Sequence, residues 1–297
     1  MTPNRKNLSD SRGNALGIGI FLFFLHMLGV NRTCELVWLI SFFYALFDRK
    51  ARRAALHYLK RRFPGAGRIA MFRHTWALFT NQGQALIETR AMGAGRLAWR
   101  FENGGMIRKL IEGEQGFILL SSHFSCWQAL IGGLGEFRRP VNLLVTPDAN
   151  LNVDKFVAAG ELHVPVRVIS TLEAMGGLVD AADALERGEV VCMMGDRCFE
   201  GEGAHVEFLG EEAVFPYAAF YLAARCSCPV LPLFAVRERA HTSFIVHYGN
   251  AIFPKLSGRR RSDLTPYVRE YVSELENMAN LHPYRCFLFE NIWSSGK

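Results

Sequence analysis

The chain lacks the cysteine patterns of disulfide-rich and zinc-binding proteins. It holds 7 cysteines, an odd number, and no two of them are spaced CxxC. The nearest pair, Cys226 and Cys228, has a single residue between its members. These spacings argue against a disulfide framework and a structural zinc site, and they favour reduced thiols in a protein that faces the cytosol.

The motifs of three large enzyme classes are also missing. There is no GxxxxGK[ST] phosphate loop, no GxGxxG at the first strand–helix turn, and no GxSxG nucleophile elbow. Nucleotide hydrolysis, dinucleotide binding and α/β-hydrolase chemistry are therefore disfavoured. The chain also has no internal repeat and no low-complexity linker.

Apolar residues concentrate near the N-terminus. Residues 15–30 carry no formal charge, and 33–47 are apolar apart from Glu35. A membrane-spanning helix needs about 20 apolar residues, so the first run is slightly short. Arg5 and Lys6 precede it as in a signal peptide, but residues 31–35 offer no small-x-small cleavage site. We expect an uncleaved anchor, either one short membrane helix or a helical pair partly in the bilayer. Two buried core helices are the alternative.

A run of positive charge follows the apolar region. The formal net charge is +6, and many cations lie at 49–62, interleaved with apolar residues. A basic balance suits nucleic acid, an anionic membrane surface or an acidic protein. Because these cations adjoin the anchor, we predict a basic amphipathic helix on a membrane surface, with its cytoplasmic side marked by the charge, and no nucleic-acid partner. An ordinary solvated helix face is the alternative.

Beyond this helix, short apolar strands alternate with helices. The predicted strands are 116–120, 141–145, 164–169, 190–194, 205–208, 230–236 and 244–248. The predicted helices are 69–87, 126–134, 152–159, 172–186, 217–226 and 264–279. This alternation is typical of an α/β protein with a central, mostly parallel sheet flanked by helices. We divide the chain into an anchor with its basic helix, residues 1–62, and one further domain, residues 63–297.

Two of these strands end in residues that can carry chemistry. The first runs into Ser121, Ser122 and His123, and the other runs into the loop 195–203, GDRCFEGEG. Open α/β sheets bind ligands at the carboxyl ends of their strands, so His123 is a candidate site residue. In the loop, glycines allow close backbone approach and Arg197 can bind a phosphate or carboxylate. The simpler interpretations are a histidine in a polar loop and an exposed hairpin.

Several stretches, taken in order, resemble one family. SSHFSCWQ is followed by GDR, EG, VEFLG and FP, and then by LAARCSCPVLPLF. This order resembles the lysophospholipid acyltransferase superfamily, and most closely its lipid A branch, the lauroyl and myristoyl transferases of bacterial inner membranes. The start, RGNALGIGIFLFFLHMLG, and the end, with His282-Pro283 and Trp293, are similar to that branch too. The resemblance covers nearly the whole chain.

The resemblance implies a reaction and a location. A fatty acyl chain would move from acyl carrier protein or acyl-CoA to a hydroxyl or amine of a lipid or glycolipid, with His123 as general base. Substrate binding is assigned to Ser122, Arg197, Glu200 and Gly201. No metal or bound cofactor is expected, because the thioester supplies the activation. The protein would lie at the cell inner membrane with its catalytic domain on the cytoplasmic side.

One position departs from the family pattern. In the family pattern an acidic residue follows the histidine after four intervening residues. This chain carries Gln128 at that position. Gln128 can orient the imidazole of His123 but cannot stabilise its cation. Another acid can supply that charge, with Asp196, Glu200 and Glu202 as candidates, and we place Asp196 with His123 and Gln128 in the catalytic set. Otherwise the acceptor is unusually acidic, or the chain is a non-catalytic relative that binds a lipid or an acyl carrier.

A glycerol-phosphate acyltransferase is a third possibility. It predicts a loop similar to FPEGTR, and the loop GDRCFEGEG counts against it. Position 128 separates an enzyme from a binding protein. Gln128→Glu should leave activity similar or higher in an active site and should change nothing in a dead one.

Overall fold

A seven-stranded sheet forms the centre of the fold. The computed structural model describes residues 15–91, 98–125, 139–146, 166–198, 203–238, 243–258 and 261–293. The predicted helices 126–134 and 152–159 lie outside these ranges, as do the predicted site residues Gln128, Glu200 and Gly201.

Five of the seven strands run in one direction, and the other two run opposite to them. The strands are β1 (Ala98–Glu102), β2 (Phe117–Ser121), β3 (Val141–Val145), β4 (Val166–Ser170), β5 (Val190–Met194), β6 (Gly203–Phe208), β7 (Glu211–Pro216), β8 (Val230–Arg237) and β9 (Ser243–Tyr248). The large sheet has the order β1-β9-β8-β2-β5-β3-β4, while β6 and β7 form a separate antiparallel hairpin. All neighbours in the large sheet pair in parallel except β8 and β9. The predicted α/β architecture with a mostly parallel sheet is confirmed.

Strand β2 shows why helices must cover both faces of this sheet. All five of its residues are buried. Ile118 and Leu120 belong to one apolar cluster, whereas Phe117 and Leu119 point to the opposite face and join another. A parallel strand of this kind reads as a continuous apolar run, because neither of its faces meets water.

Helices pack on both sides. They are α1 (Ala15–Phe47), α2 (Arg49–Arg62), α3 (Arg68–Ala91), α4 (Gly105–Glu112), α5 (Leu178–Glu186), α6 (Ala218–Arg225) and α7 (Thr265–Leu281). The larger cluster draws its residues from α2, α3, α5, α6 and α7. Helix α4 packs on the other face through Ile107.

The N-terminal apolar region forms a helix with a break. Gly29 has φ 74° and ψ 175°, so α1 consists of two helical segments that meet at this residue. Within the described part of the chain, one stretch, Met27–Phe47, is long and apolar enough to cross a membrane, and 28% of it is buried. Its exposed side chains include Trp38, Phe43 and Phe47. Most of this segment therefore does not form core, in contrast to a pair of buried helices.

Helix α2 begins directly after α1. Asp48 caps it, since its carboxylate accepts a hydrogen bond of 2.8 Å from the backbone N–H of Ala51. Ala55, Tyr58 and Leu59 bury one face of the helix. The predicted basic amphipathic helix is present.

Three elements were not expected from the sequence, namely β1, β7 and α4. The helix expected from residue 172 begins at Leu178, because Met175, Gly176 and Gly177 have positive φ angles that a regular α-helix excludes. The six cysteines in the described ranges are free thiols.

Candidate active site

The ends of two neighbouring strands create the candidate site. β2 and β5 pair in parallel with Ser121 opposite Met194, so both chains leave the sheet at the same edge. The backbone N–H of Gly195 donates a hydrogen bond of 2.8 Å to the carbonyl oxygen of Ser121, which extends the ladder by one step. The residues that follow, His123 after β2 and Asp196 after β5, are thereby placed side by side.

His123 and Asp196 form a tightly defined pair. The imidazole Nδ1 of His123 lies 3.0 Å from each carboxylate oxygen of Asp196. The backbone N–H of His123 donates a further hydrogen bond of 2.9 Å to Oδ2. Because the carboxylate accepts at Nδ1, we assign the imidazole proton to Nδ1, and Nε2 keeps a free lone pair.

The two side chains differ in exposure. Asp196 is completely buried, whereas 26% of the His123 side chain is exposed. Burial would raise the pKa of the Asp196 carboxyl, but the charge and hydrogen bonds of His123, together with the charge of Arg197, outweigh it and lower that pKa below its ordinary value. Asp196 is therefore a carboxylate at neutral pH, and the imidazole in front of it can reach a substrate.

Tyr271 of α7 binds the backbone at the end of β2. Its hydroxyl donates a hydrogen bond of 2.9 Å to the carbonyl oxygen of Ser121, which also accepts from Gly195. The ring is fully buried and lies against Gly195, where an added Cβ atom would be 2.8 Å from Cζ. Only a glycine lets the backbone that leads to Asp196 pass this close to the ring.

The C-terminal segment borders the site on another side. Phe287 N–H donates a hydrogen bond of 2.8 Å to the His123 carbonyl oxygen, and Ser125 N–H donates one of 2.6 Å to the Arg285 carbonyl oxygen. Phe124 and Cys286 form an antiparallel bridge between these two contacts. The backbone on both sides of His123 is thus held by residues more than 150 positions away in the chain.

The other predicted site residues occupy different surroundings. Ser122 is 1% exposed. Arg197 is partly exposed and lies 3.4 Å from the carboxylate of Glu290. Gln128, Glu200 and Gly201 lie outside the described residues. Among the described ones, His123 and Asp196 are in direct contact, and Ser122 and Arg197 are their neighbours in the chain.

Tyr271 and the segment 285–287 were not found from the sequence. Tyr271 follows the apolar pattern of an amphipathic helix, which gives no sign of its hydrogen bond. Residues 285–287 carry no regular period that could predict their pairing with 123–125. Among the described residues there is no group of three or more His, Cys, Asp or Glu side chains that could hold a metal ion.

The fold and this pair define a class of protein. A buried carboxylate that orients a partly exposed histidine at the carboxyl edge of a parallel sheet is an arrangement suited to general-base catalysis. The family model for bacterial lipid A biosynthesis acyltransferases matches residues 8–295, and the chain belongs to that family. No curated protein matches the chain significantly. The protein is therefore an acyltransferase, which uses an acyl donor and a lipid acceptor.

Proposed function

We propose that the protein is a membrane-bound enzyme that moves a fatty acyl chain from acyl carrier protein or acyl-CoA to a hydroxyl or amine of a lipid or glycolipid. The observation that carries the proposal is the hydrogen bond between His123 Nδ1 and the buried Asp196. It leaves Nε2 as a base at the exposed end of the ring.

The proton and the electron pairs move as follows in this proposal. Nε2 of His123 removes the proton from the acceptor O–H or N–H as that atom attacks the thioester carbonyl carbon. The tetrahedral intermediate collapses, the C–S bond breaks, and the thiolate takes the proton from the imidazolium. Asp196 stabilises the imidazolium between these two steps. No metal or bound cofactor takes part, because the thioester is already activated.

Asp196 supplies the charge that Gln128 cannot. Gln128 keeps an orienting role in this proposal, so Gln128→Glu is expected to change activity by no more than a few fold. Arg197, together with Glu200 and Gly201 in the same loop, would bind a phosphate or other polar head group, and Ser122 would support the backbone beside it.

The N-terminal region would hold the enzyme at the membrane. In this proposal residues 1–62 are an anchor with an interfacial helix, and residues 63–297 are the acyltransferase domain. The exposed apolar side chains of α1 and the cations of α2 support this division. The site would face the cytoplasm at the inner membrane, where both acyl carrier protein and acyl-CoA are available.

The test is acyl transfer by the purified protein in detergent. Radiolabelled acyl carrier protein and acyl-CoA are offered separately to a total lipid extract from the host. We expect a labelled lipid product from the wild type and a loss of about 10²–10⁴-fold in His123→Ala. The matched control is His205→Ala, since His205 also lies 3.0 Å from a carboxylate, that of Glu212, but on the exposed β6–β7 hairpin.

The results separate the alternatives. Product lost in His123→Ala and kept in His205→Ala supports the proposal and identifies donor and acceptor. Product that persists in His123→Ala removes His123 as the base. Absence of product with every donor, from folded protein that still binds lipid, would favour a non-catalytic binding protein.

A further inference from the structure

A cleft between α2 and α3 lies outside the site described above. Its volume is about 650 Å³, within the range of about 300–1,000 Å³ typical of small-molecule sites. Within the described part of the chain its lining comes from residues 52–75, so neither β2 nor β5 contributes to it. Leu56, Phe63, Met71 and Phe72 form its apolar floor.

The rim of the cleft is basic. Lys60 and Arg68 lie on it with exposed side chains. Across residues 49–87 the chain carries nine Lys and Arg residues and no Asp or Glu. Within the described ranges neither Lys60 nor Arg68 has an ion pair. The cleft therefore presents uncompensated positive charge above an apolar floor.

Arg52, the third cation that lines the cleft, hydrogen-bonds to the end of α1. Its guanidinium donates hydrogen bonds to the carbonyl oxygens of Ala45, at 2.9 Å, and Leu46. These are carbonyls of the last turn of α1, which has no basic residue of its own. Arg52 thus stabilises the end of α1, which leaves Lys60 and Arg68 as the cations able to bind a ligand.

The apolar floor of the cleft is held in place by residues outside the cleft. The Phe63 ring stacks on the His74 imidazole with centroids 3.9 Å apart, and His74 Nδ1 lies 2.8 Å from the Tyr284 hydroxyl. On the other side, Phe72 makes an edge contact with Phe42 of α1 at 5.8 Å. The cleft is thus a formed feature that adjoins the apolar helix.

We propose that this cleft binds one anionic phospholipid, with an acyl chain on the apolar floor and the phosphate on Lys60 and Arg68. Charge complementarity selects an anion, and the apolar floor selects an amphiphile over the charged surface of an acidic carrier protein. The proposal rests on the proposed function only in that the protein meets membrane lipid. The bound lipid is a resident ligand and not the acyl acceptor.

The experiment counts lipids bound to the full chain by native mass spectrometry in detergent. The probes are myristoyl-lysophosphatidylglycerol, which is anionic, and myristoyl-lysophosphatidylcholine, which has the same chain and no net charge. We expect one anionic lipid to bind each chain at least tenfold more tightly than the zwitterionic one. The rim variant Lys60→Gln/Arg68→Gln should lose at least tenfold in this affinity.

Two further variants make the assignment specific. The control Lys50→Gln/Arg53→Gln removes the same charge from exposed positions of α2 that do not line the cleft, and it should keep full affinity. Met71→Trp should block the floor and lower affinity for both lipids. If Met71→Trp fails to fold, as judged by circular dichroism, the comparison of rim and control variants decides.

Several results would overturn the proposal. These are an equal loss in rim and control variants, equal binding of both lipids, or a rim variant that loses binding of acyl carrier protein and keeps the lipid. His123→Ala should bind the anionic lipid as the wild type does. If the wild type binds the anionic lipid but transfers no acyl chain with any donor, the proposed function is wrong and this site stands. If the wild type transfers an acyl chain but does not bind the anionic lipid selectively, this site is wrong and the proposed function stands.

Discussion

At the scale of single residues, the position of Asp196 supports its proposed role as the charged partner of His123, a role that Gln128 cannot fill. The family pattern places its acid on the same segment as the histidine. Here a carboxylate from the end of β5 lies 3.0 Å from Nδ1 of His123 and is buried completely. Neutral Gln128 therefore does not leave the imidazole without a charged partner.

Asp196→Asn tests the charge of the Asp196 side chain separately from its size. The amide keeps the size of the side chain, but it cannot stabilise the imidazolium and it can hold the ring in the wrong tautomer. We expect kcat to fall by about 10²–10⁴-fold with a much smaller change in KM. Steady-state kinetics on the wild type and the variant measure this. A fall of less than threefold would show that Asp196 is not the partner of His123 in catalysis.

Asp196 also links stability to pH. Its carboxyl pKa is lowered in the folded protein from the ordinary value of 3.8. The ionised group thus stabilises the fold fully above about pH 3.8, and this contribution is lost as the pH falls through the lower, folded pKa. The stability of the wild type relative to Asp196→Asn should be constant from pH 6 to 5 and should decrease below about pH 4. Thermal denaturation of both proteins across this pH range tests the prediction. If the stability of both proteins changes with pH in the same way, the pKa of Asp196 is not lowered by folding.

At the scale of elements, the sequence predicts the strands that lead to the candidate site, but it does not predict every strand of the structure. Apolar runs predicted β2 and β5, and the rule that ligands bind at the carboxyl ends of strands made His123 a candidate site residue. The sequence offers Asp196, Glu200 and Glu202 as candidate acids, and Asp196 is the one placed in the catalytic set. Its contact with His123 cannot be derived from the sequence, because it depends on the register between two strands far apart in the chain. Neighbouring strands in register bring Asp196, two residues after β5, against His123, two residues after β2.

The elements missed from the sequence have physical reasons. β1 is an edge strand with exposed and half-buried residues only, so it lacks an apolar run. β7 begins with two glutamates and ends with a proline, which hides its pairing with β6. The contact of Tyr271 with Ser121 connects α7 to β2 across 150 residues, and no local pattern encodes it.

Gly195→Ala should disturb the site through Tyr271. The added methyl would lie 2.8 Å from Cζ and 2.9 Å from the hydroxyl oxygen of a fully buried ring. We expect a loss of about 1–3 kcal/mol in the free energy of unfolding, because the added methyl overpacks a buried site. We also expect kcat to fall about tenfold or more, because the ring must move away from Ser121. Chemical denaturation and kinetics measure the two effects.

Two comparisons identify the cause. Gly65→Ala is the control, since nothing lies within 4 Å of a Cβ atom there, and it should behave as the wild type. Tyr271→Leu removes the ring atoms that clash, so Gly195→Ala should cost less in that background than in the wild type. Additive losses would show that the methyl disturbs the site by another route.

At the scale of the whole molecule, α1 and α2 give one side of the protein two different kinds of surface. α1 exposes apolar side chains, including Phe43 at 50% and Phe47 at 70%. α2 follows after a single residue and carries the cations of 49–62. In the proposed function the first surface would bind a bilayer through the hydrophobic effect, which salt does not weaken, while the second would bind it through charge, which salt screens.

Salt should therefore distinguish the two contributions. Full-length protein is floated with phosphatidylcholine vesicles that contain phosphatidylglycerol, at 0.15 M and 1 M NaCl, where the screening length falls from about 8 Å to about 3 Å. The wild type should float at both concentrations. Phe43→Ser/Phe47→Ser should float at low salt and in a clearly smaller fraction at 1 M, because burying each phenylalanine contributes about 1.5–3 kcal/mol at most.

Phe253→Ser is the control, since Phe253 is an exposed phenylalanine beyond β9, at 56%, and this variant should match the wild type. Release of the wild type by 1 M salt would mean that charge alone holds the protein to lipid, and that the exposed face of α1 is covered by something other than a bilayer.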